Sequence, residues 1–179
     1  MKTIKINIYK FDELSETAKE KALNDYRNDF DFFWTDEGFE SIEKGLDYFD
    51  FSIHDYEIDY LDINRCFIKI DNNESQNIEN IEYIRLYKYL VNNYLDYKPE
   101  LLKGNCPFTG YCVDESFLDP IRKFINKPYS INFRELMDEC VYSALKDIVS
   151  DCEYQYSDEG IIETILANDY DFTEDGKLY

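Results

Sequence analysis

The sequence predicts an α+β fold: a small, mainly antiparallel sheet covered by several helices, one long and central near residues 133–154. Three observations carry this. Apolar residues alternate with polar ones over 2–9 and 64–71, the period of a half-buried strand. Elsewhere they recur at three- and four-residue spacing, the period of an amphipathic helix. No repeat, linker or low-complexity run divides the 179 residues, so the chain reads as a single domain, 1–179.

The elements follow in order. Over 2–9, Ile4, Ile6 and Ile8 fall on one face and Lys5, Asn7 and Tyr9 on the other. Ser15 is an N-cap for a helix that stripes Ala18, Ala22 and Tyr26, with Leu23 beside them, and ends near Asn28. The stretch DFDFFWTDEGF sets Phe30, Phe32, Phe33 and Trp34 among carboxylates. Thr35 or Asp36 then caps a second helix bearing Phe39, Ile42, Leu46 and Phe49. Phe51, Ile53, Tyr56, Ile58 and Tyr60 read as a strand with a break at His54, and Cys66, Ile68 and Ile70 as its hairpin partner.

After the polar loop DNNESQN, a helix is expected from about Ile78 to Tyr97, closed by Pro99. KGNCPFTGYC is irregular, with Gly104, Pro107 and Gly110. Asp119-Pro120 has the form of a helix start, and that helix should stop by Pro128. The strongest period lies at 133–152, where Phe133, Leu136, Met137, Cys140, Val141, Ala144, Leu145, Ile148, Val149 and Cys152 share a face. Asn132 with Glu135 forms a capping box before it. Ser157 caps a last helix with Ile161, Ile162, Ile165 and Leu166, ended by Asn168. Asp175-Gly176 is a turn, and the tail around it adds a strand.

Tyr 17 and Phe 13 point to an aromatic core with a tyrosine rim, since tyrosine buries its ring while its hydroxyl stays wet. The five cysteines, Cys66, Cys106, Cys112, Cys140 and Cys152, are odd in number and widely spread, a poor disulfide framework. MKTIKINIYK holds no uninterrupted apolar run, and no stretch approaches the ~20 apolar residues of a membrane span. A reducing cytosol is the expected compartment, with no membrane partner.

Charge is the outlying property. Asp and Glu number 39 against 19 Lys and Arg, a net charge of -20. Such a field repels nucleic acid and anionic membrane and attracts basic surfaces. Residues 25–62 hold 13 acids and 2 bases, residues 138–175 hold 12 acids and 1 base, and the stretch between them is balanced. The excess therefore lies in two segments.

Asp55, Glu57 and Asp59 alternate with Tyr56, Ile58 and Tyr60, and Asp62 follows. Alternate strand residues on one face stand ~6.8 Å apart, near the spacing of phosphates along a nucleic-acid strand. Asp147 with Asp151, and Glu159 with Glu163, make similar rows at helical spacing. These rows resemble an anionic backbone that a basic protein would grip, and Trp34 would add a hot spot. The plainer readings are a solvated acidic face and a tryptophan that anchors the core.

Metal and catalytic patterns are thin. Cys106 and Cys112 are too far apart for the usual zinc spacing, and Cys140 and Cys152 supply no second pair. Asp171, Thr173, Asp175 and Gly176 match the opening of a calcium loop, and Asp29 and Asp31 begin another that meets Trp34 at the glycine position. His54, the single histidine, has no Ser or Cys motif beside it. No cofactor is implied and no residue is assigned as catalytic.

YKFDELSETAKEKALNDYR at 9–27, CPFTGYCVDESFLDPIRKF at 106–124 and YQYSDEGIIETILANDYDFTEDGKLY at 154–179 resemble a family of bacteriophage- and prophage-encoded proteins, some labelled antitoxin-like. The resemblance implies expression in a bacterial cytoplasm and carries no site. With the charge, it suggests an acidic inhibitor of a host-defence or nucleic-acid-processing protein, acting as a DNA mimic of the anti-CRISPR or anti-restriction kind. An antitoxin-like or regulatory partner of one cognate basic protein is the alternative. A metal-dependent carboxylate enzyme is a third reading, which stoichiometric metal retained on purification would mark.

Overall fold

The structure, a computed structural model, describes residues 7–73 and 78–179. It is α+β: among the described residues there are six α-helices and two separate two-stranded antiparallel sheets. The chain, read from its sequence as one domain, clusters into two compact units, residues 1–32 with 151–179, and residues 33–150.

In the first unit, β1 (Ile8–Lys10) pairs with β4 (Asp171–Thr173), with Tyr9 opposite Phe172. Most of the strand read over 2–9 lies outside the described residues. Its described end differs from expectation, because Ile8 is exposed and Tyr9 and Lys10 are half-buried. α1 (Glu16–Asn28) starts at Ser15, whose Oγ accepts the Ala18 amide, and ends where the sequence indicated. α6 (Asp158–Ala167) starts at Ser157, which accepts the Gly160 amide, and ends at Asn168. The core joins Phe11, Leu14, Ala18 and Ala22 to Ile161, Ile165 and Phe172. Leu166 is the exception on α6, being exposed.

The C-terminal turn is fixed by conformation and charge. Gly176 has φ +85, and a Cβ there would stand 2.1 Å from the Ala18 carbonyl oxygen. Lys21 reaches Asp175 at 2.5 Å, and Lys10 bridges Asp169 and Asp171 at 2.9 Å each.

The second unit holds α2 (Thr35–Tyr48), the hairpin β2 (Phe51–Glu57) and β3 (Phe67–Asn72), α3 (Tyr83–Leu90) and α4 (Val113–Asn126). α5 (Phe133–Tyr156) contributes to both units. Its predicted face is buried at all ten positions. The capping box is reciprocal: Asn132 Oδ1 accepts the Glu135 amide at 2.8 Å, and Glu135 Oε2 accepts the Asn132 amide at 3.1 Å. Phe49, Phe51, Phe117, Phe124 and Phe133 are fully buried, each contributing about 2–3 kcal/mol of transfer free energy. α2 lies close on α4, where Gly45 leaves room for the Phe117 ring.

Three boundaries correct the sequence reading. α2 begins at Thr35, with Trp34 in the cap position and no side-chain cap bond, so neither Thr35 nor Asp36 serves as the cap. α4 begins at Val113, leaving Asp119 and Pro120 inside the helix. The Asp-Pro pattern imitates a start, but the true one is set by Asp114, whose carboxylate gathers the preceding loop. α3 begins at Tyr83 rather than Ile78, because the chain just before it pairs with 131–134: the Tyr83 amide donates to Ile131 and the Phe133 amide to Ile81. Tyr83 enters the helix with φ 48. A π turn, Val91–Leu95, then carries the helix towards Pro99.

Candidate functional site

α2 divides its residues by face. Ile42, Gly45 and Leu46 are buried, while Asp36, Glu40, Glu43 and Asp47 are exposed on the opposite side. At 100° per residue these four carboxylates fall within about 60° of one another around the axis. They span twelve residues, about 16 Å of helix. Glu40 pairs with Lys44 at 3.0 Å, and the other three make no ion pair among the described residues. The spacing 36, 40, 43, 47 is plain in the sequence, yet attention to the strand acids leaves it unread.

The strand acids are arranged differently from expectation. β2 and β3 pair with a register shift between Ile53 and Asp55, so His54 is an extra residue, where the sequence placed a break. The bulge switches the parity of the strand. Phe51, Ile53 and Tyr56 lie on one face, with Ile68 and Ile70 opposite them. Tyr56 meets Phe39 of α2 at 4.9 Å between ring centroids. Asp55 and Glu57 are thereby turned to the outer face, opposite Lys69 and Phe67.

β2 ends at Glu57, so Asp59 and Asp62 belong to the connecting turn and do not extend the strand row. Cys66 holds that turn: its Sγ accepts the Asp59 amide and donates to the Asp59 carbonyl. Burial pushes the Cys66 thiol up. Three of the four carboxylates are also matched by the hairpin's own cations. Lys69 sits 2.9 Å from Asp55, and Arg65 reaches Asp59 at 3.5 Å and Asp62 at 3.3 Å. The Lys69 ammonium holds the Asp55 carboxyl below its usual range. Only Glu57 of this set makes no ion pair among the described residues.

The second acidic segment contributes exposed carboxylates on two helices. Asp147 and Asp151 are both exposed on α5, and Asp147 accepts Ser116 Oγ at 2.8 Å. Glu159 and Glu163 are exposed on α6, with Glu163 accepting the Tyr154 hydroxyl at 2.7 Å. Trp34 is half-buried at the head of α2, edge-on to the strongly exposed Phe33 at 5.2 Å. Asp171 pairs with Lys10, and Asp175 pairs with Lys21 and accepts the Thr173 hydroxyl. His54 Nδ1 lies 3.3 Å from Asp71.

The most constrained polar group is one the sequence reading did not single out. Asp114 is fully buried. Its Oδ2 accepts the amides of Phe108, Thr109 and Gly110 at 2.8, 2.9 and 3.3 Å, and its Oδ1 accepts the Thr109 hydroxyl at 3.1 Å. Thr109 Oγ1 also meets Ser41 Oγ of α2 at 2.8 Å. A buried carboxylate so fully bonded holds the loop against α4 and α2. The available signal was a carboxylate in the first turn after a Thr-Gly loop.

Among the described residues, no group of three or more His, Cys, Asp or Glu side chains converges to hold a metal ion. No described helix is long and apolar enough to cross a membrane. No protein-family model, curated protein or solved structure matches the chain.

Proposed function

We propose that this chain is an acidic, phage-encoded inhibitor that acts by binding rather than by catalysis. It occupies the basic groove of a host-defence or nucleic-acid-processing protein and excludes the nucleic acid that groove would hold, in the manner of anti-CRISPR and anti-restriction inhibitors. The observation that supports this best is the outer face of α2, where Asp36, Glu40, Glu43 and Asp47 line up opposite a buried apolar face. Four carboxylates along about 16 Å of helix, one of them paired with Lys44, form a ladder comparable to a short run of phosphates. A helix holds the backbone of such a ladder in place, so only its side chains need ordering on contact.

The test is capture from bacterial lysate at low and high salt, followed by displacement with DNA or RNA. A nucleic-acid-binding protein that is released by salt and by nucleic acid supports mimicry. A scatter of basic proteins sinks it, leaving the acidity a matter of solubility.

A second reading, an antitoxin-like or regulatory partner of one cognate basic protein, is favoured by a different observation. The hairpin matches most of its own carboxylates with Lys69 and Arg65 and keeps apolar side chains in solvent, which suits a defined interface better than a generic charged groove. Such a partner would be held without being displaced by nucleic acid.

A further inference from the structure

The hairpin is fully buried at one end only. Phe51 and Ile70, where it leaves the core, are fully buried. Past the His54 bulge the burial stops: Tyr56, Leu61 and Phe67 are exposed, and Ile58, Ile63 and Ile68 are only half-buried. A two-stranded ribbon is marginal by itself, and apolar side chains left in solvent on both faces of its distal half mark an interaction surface.

Charge says what covers it. At a net charge of -20, a second copy of this chain meets long-range repulsion. The rungs of the outer face are more specific. In one rung, Lys69 pairs with Asp55 at 2.9 Å while its ammonium lies 4.9 Å from the centroid of the Phe67 ring. Carboxylate and ring together hold a cation there. In the next rung, Glu57 stands opposite Phe67 and makes no ion pair among the described residues.

We propose that the distal half of the β2–β3 hairpin docks a basic partner segment in which Lys or Arg alternates with apolar side chains. A cation of that segment meets Glu57 on the outer face, beside the Phe67 ring, and its apolar neighbours, which alternate to the inner face, cover Tyr56. This inference goes beyond the proposed inhibition and does not need the partner to bind nucleic acid.

The experiment uses the full chain and two synthetic nine-residue peptides, one alternating lysine with valine and one lysine with serine. Binding is followed by titration and by amide resonances. The lysine–valine peptide should bind about tenfold more tightly than its serine counterpart and shift the resonances of residues 54–69. Glu57→Lys with Phe67→Ser should weaken it about fivefold to tenfold, and because both positions are exposed the remaining amide spectrum should not change. Neutralising the α2 carboxylates should leave this binding within about twofold, which separates this proposal from the α2 reading. Equal affinity for the two peptides, shifts on α2 instead of the hairpin, or undiminished binding by the Glu57/Phe67 variant would overturn it. So would concentration-dependent dimerisation that the same variant abolishes, since a second copy would then be the occupant.

Discussion

Asp114 and Thr109 are joined twice, by the Thr109 amide to Oδ2 at 2.9 Å and by the Thr109 hydroxyl to Oδ1 at 3.1 Å. With the Phe108 and Gly110 amides on the same carboxylate, this pair ties the 107–110 loop to the first turn of α4. Asp114→Ala leaves those donors without an acceptor, and we expect a loss of about 3 kcal/mol in unfolding free energy. Asp114→Asn, which keeps one oxygen, should lose less. Urea denaturation gives the energies, and hydrogen exchange at Phe108 and Thr109 should quicken well before global unfolding. A loss under about 1 kcal/mol for the alanine variant would mean the carboxylate is not the organiser of this loop.

Gly110 and Gly176 share φ +85 but not their surroundings. A Cβ at Gly110 meets nothing within 4 Å, whereas one at Gly176 meets the Ala18 carbonyl oxygen at 2.1 Å. Gly110→Ala should therefore cost only the left-handed strain, about 1 kcal/mol. Gly176→Ala adds a backbone clash and should cost about 2–4 kcal/mol. Thermal unfolding of the two variants side by side is the check. Equal losses would show that the C-terminal turn does not sit against α1 as described.

Much of the fold was legible in local chemistry. The Ser15 and Ser157 caps, the Asn132–Glu135 box and the ten-residue buried face of α5 each depend on neighbours within one or two helical turns, which a sequence displays directly. The misread boundaries have different causes. α4 starts where Asp114 gathers the loop just before it, a local signal that the Asp-Pro pattern outweighed, whereas α3 starts late because 79–82 pairs with 131–134, far along the chain. The candidate site was legible in composition but not in arrangement. Which hairpin acids are neutralised follows from a cross-strand register that puts Lys69 opposite Asp55.

Asp175 gives a pH test. Hydrogen bonds from Lys21 and Thr173 hold its carboxyl down to about 2, from an ordinary 3.8. Because the folded value is the lower one, the pair's contribution to stability is present above about pH 4. It is lost as pH falls towards 2. Carboxyl resonances followed by acid titration should place Asp175 near the bottom of the aspartates. Lys21→Met should return its midpoint towards 3.8. A midpoint that does not move would mean the Lys21 contact is absent in solution.

The thiols should separate by exposure. Cys112 is exposed, whereas Cys140 and Cys152 are buried, and burial pushes Cys152 up to about 12 and Cys140 well above its ordinary value. The thiolate is the species that alkylates, so iodoacetamide at neutral pH should label Cys112 first. Cys140 and Cys152 should react only on unfolding. Peptide mass spectrometry reads the order directly, and early labelling of Cys140 would contradict the packing of α5.

The most direct test of the central claim replaces the α2 carboxylates together: Asp36→Asn, Glu40→Gln, Glu43→Gln and Asp47→Asn. All four are exposed, so the fold should persist, as circular dichroism would verify. The decisive measurement is the affinity of this variant for the partner captured by the parent chain, taken across a range of salt. Affinity should fall about tenfold or more at low salt and depend less steeply on salt. Unchanged affinity and an unchanged salt slope would contradict the claim, and would move the binding surface off α2.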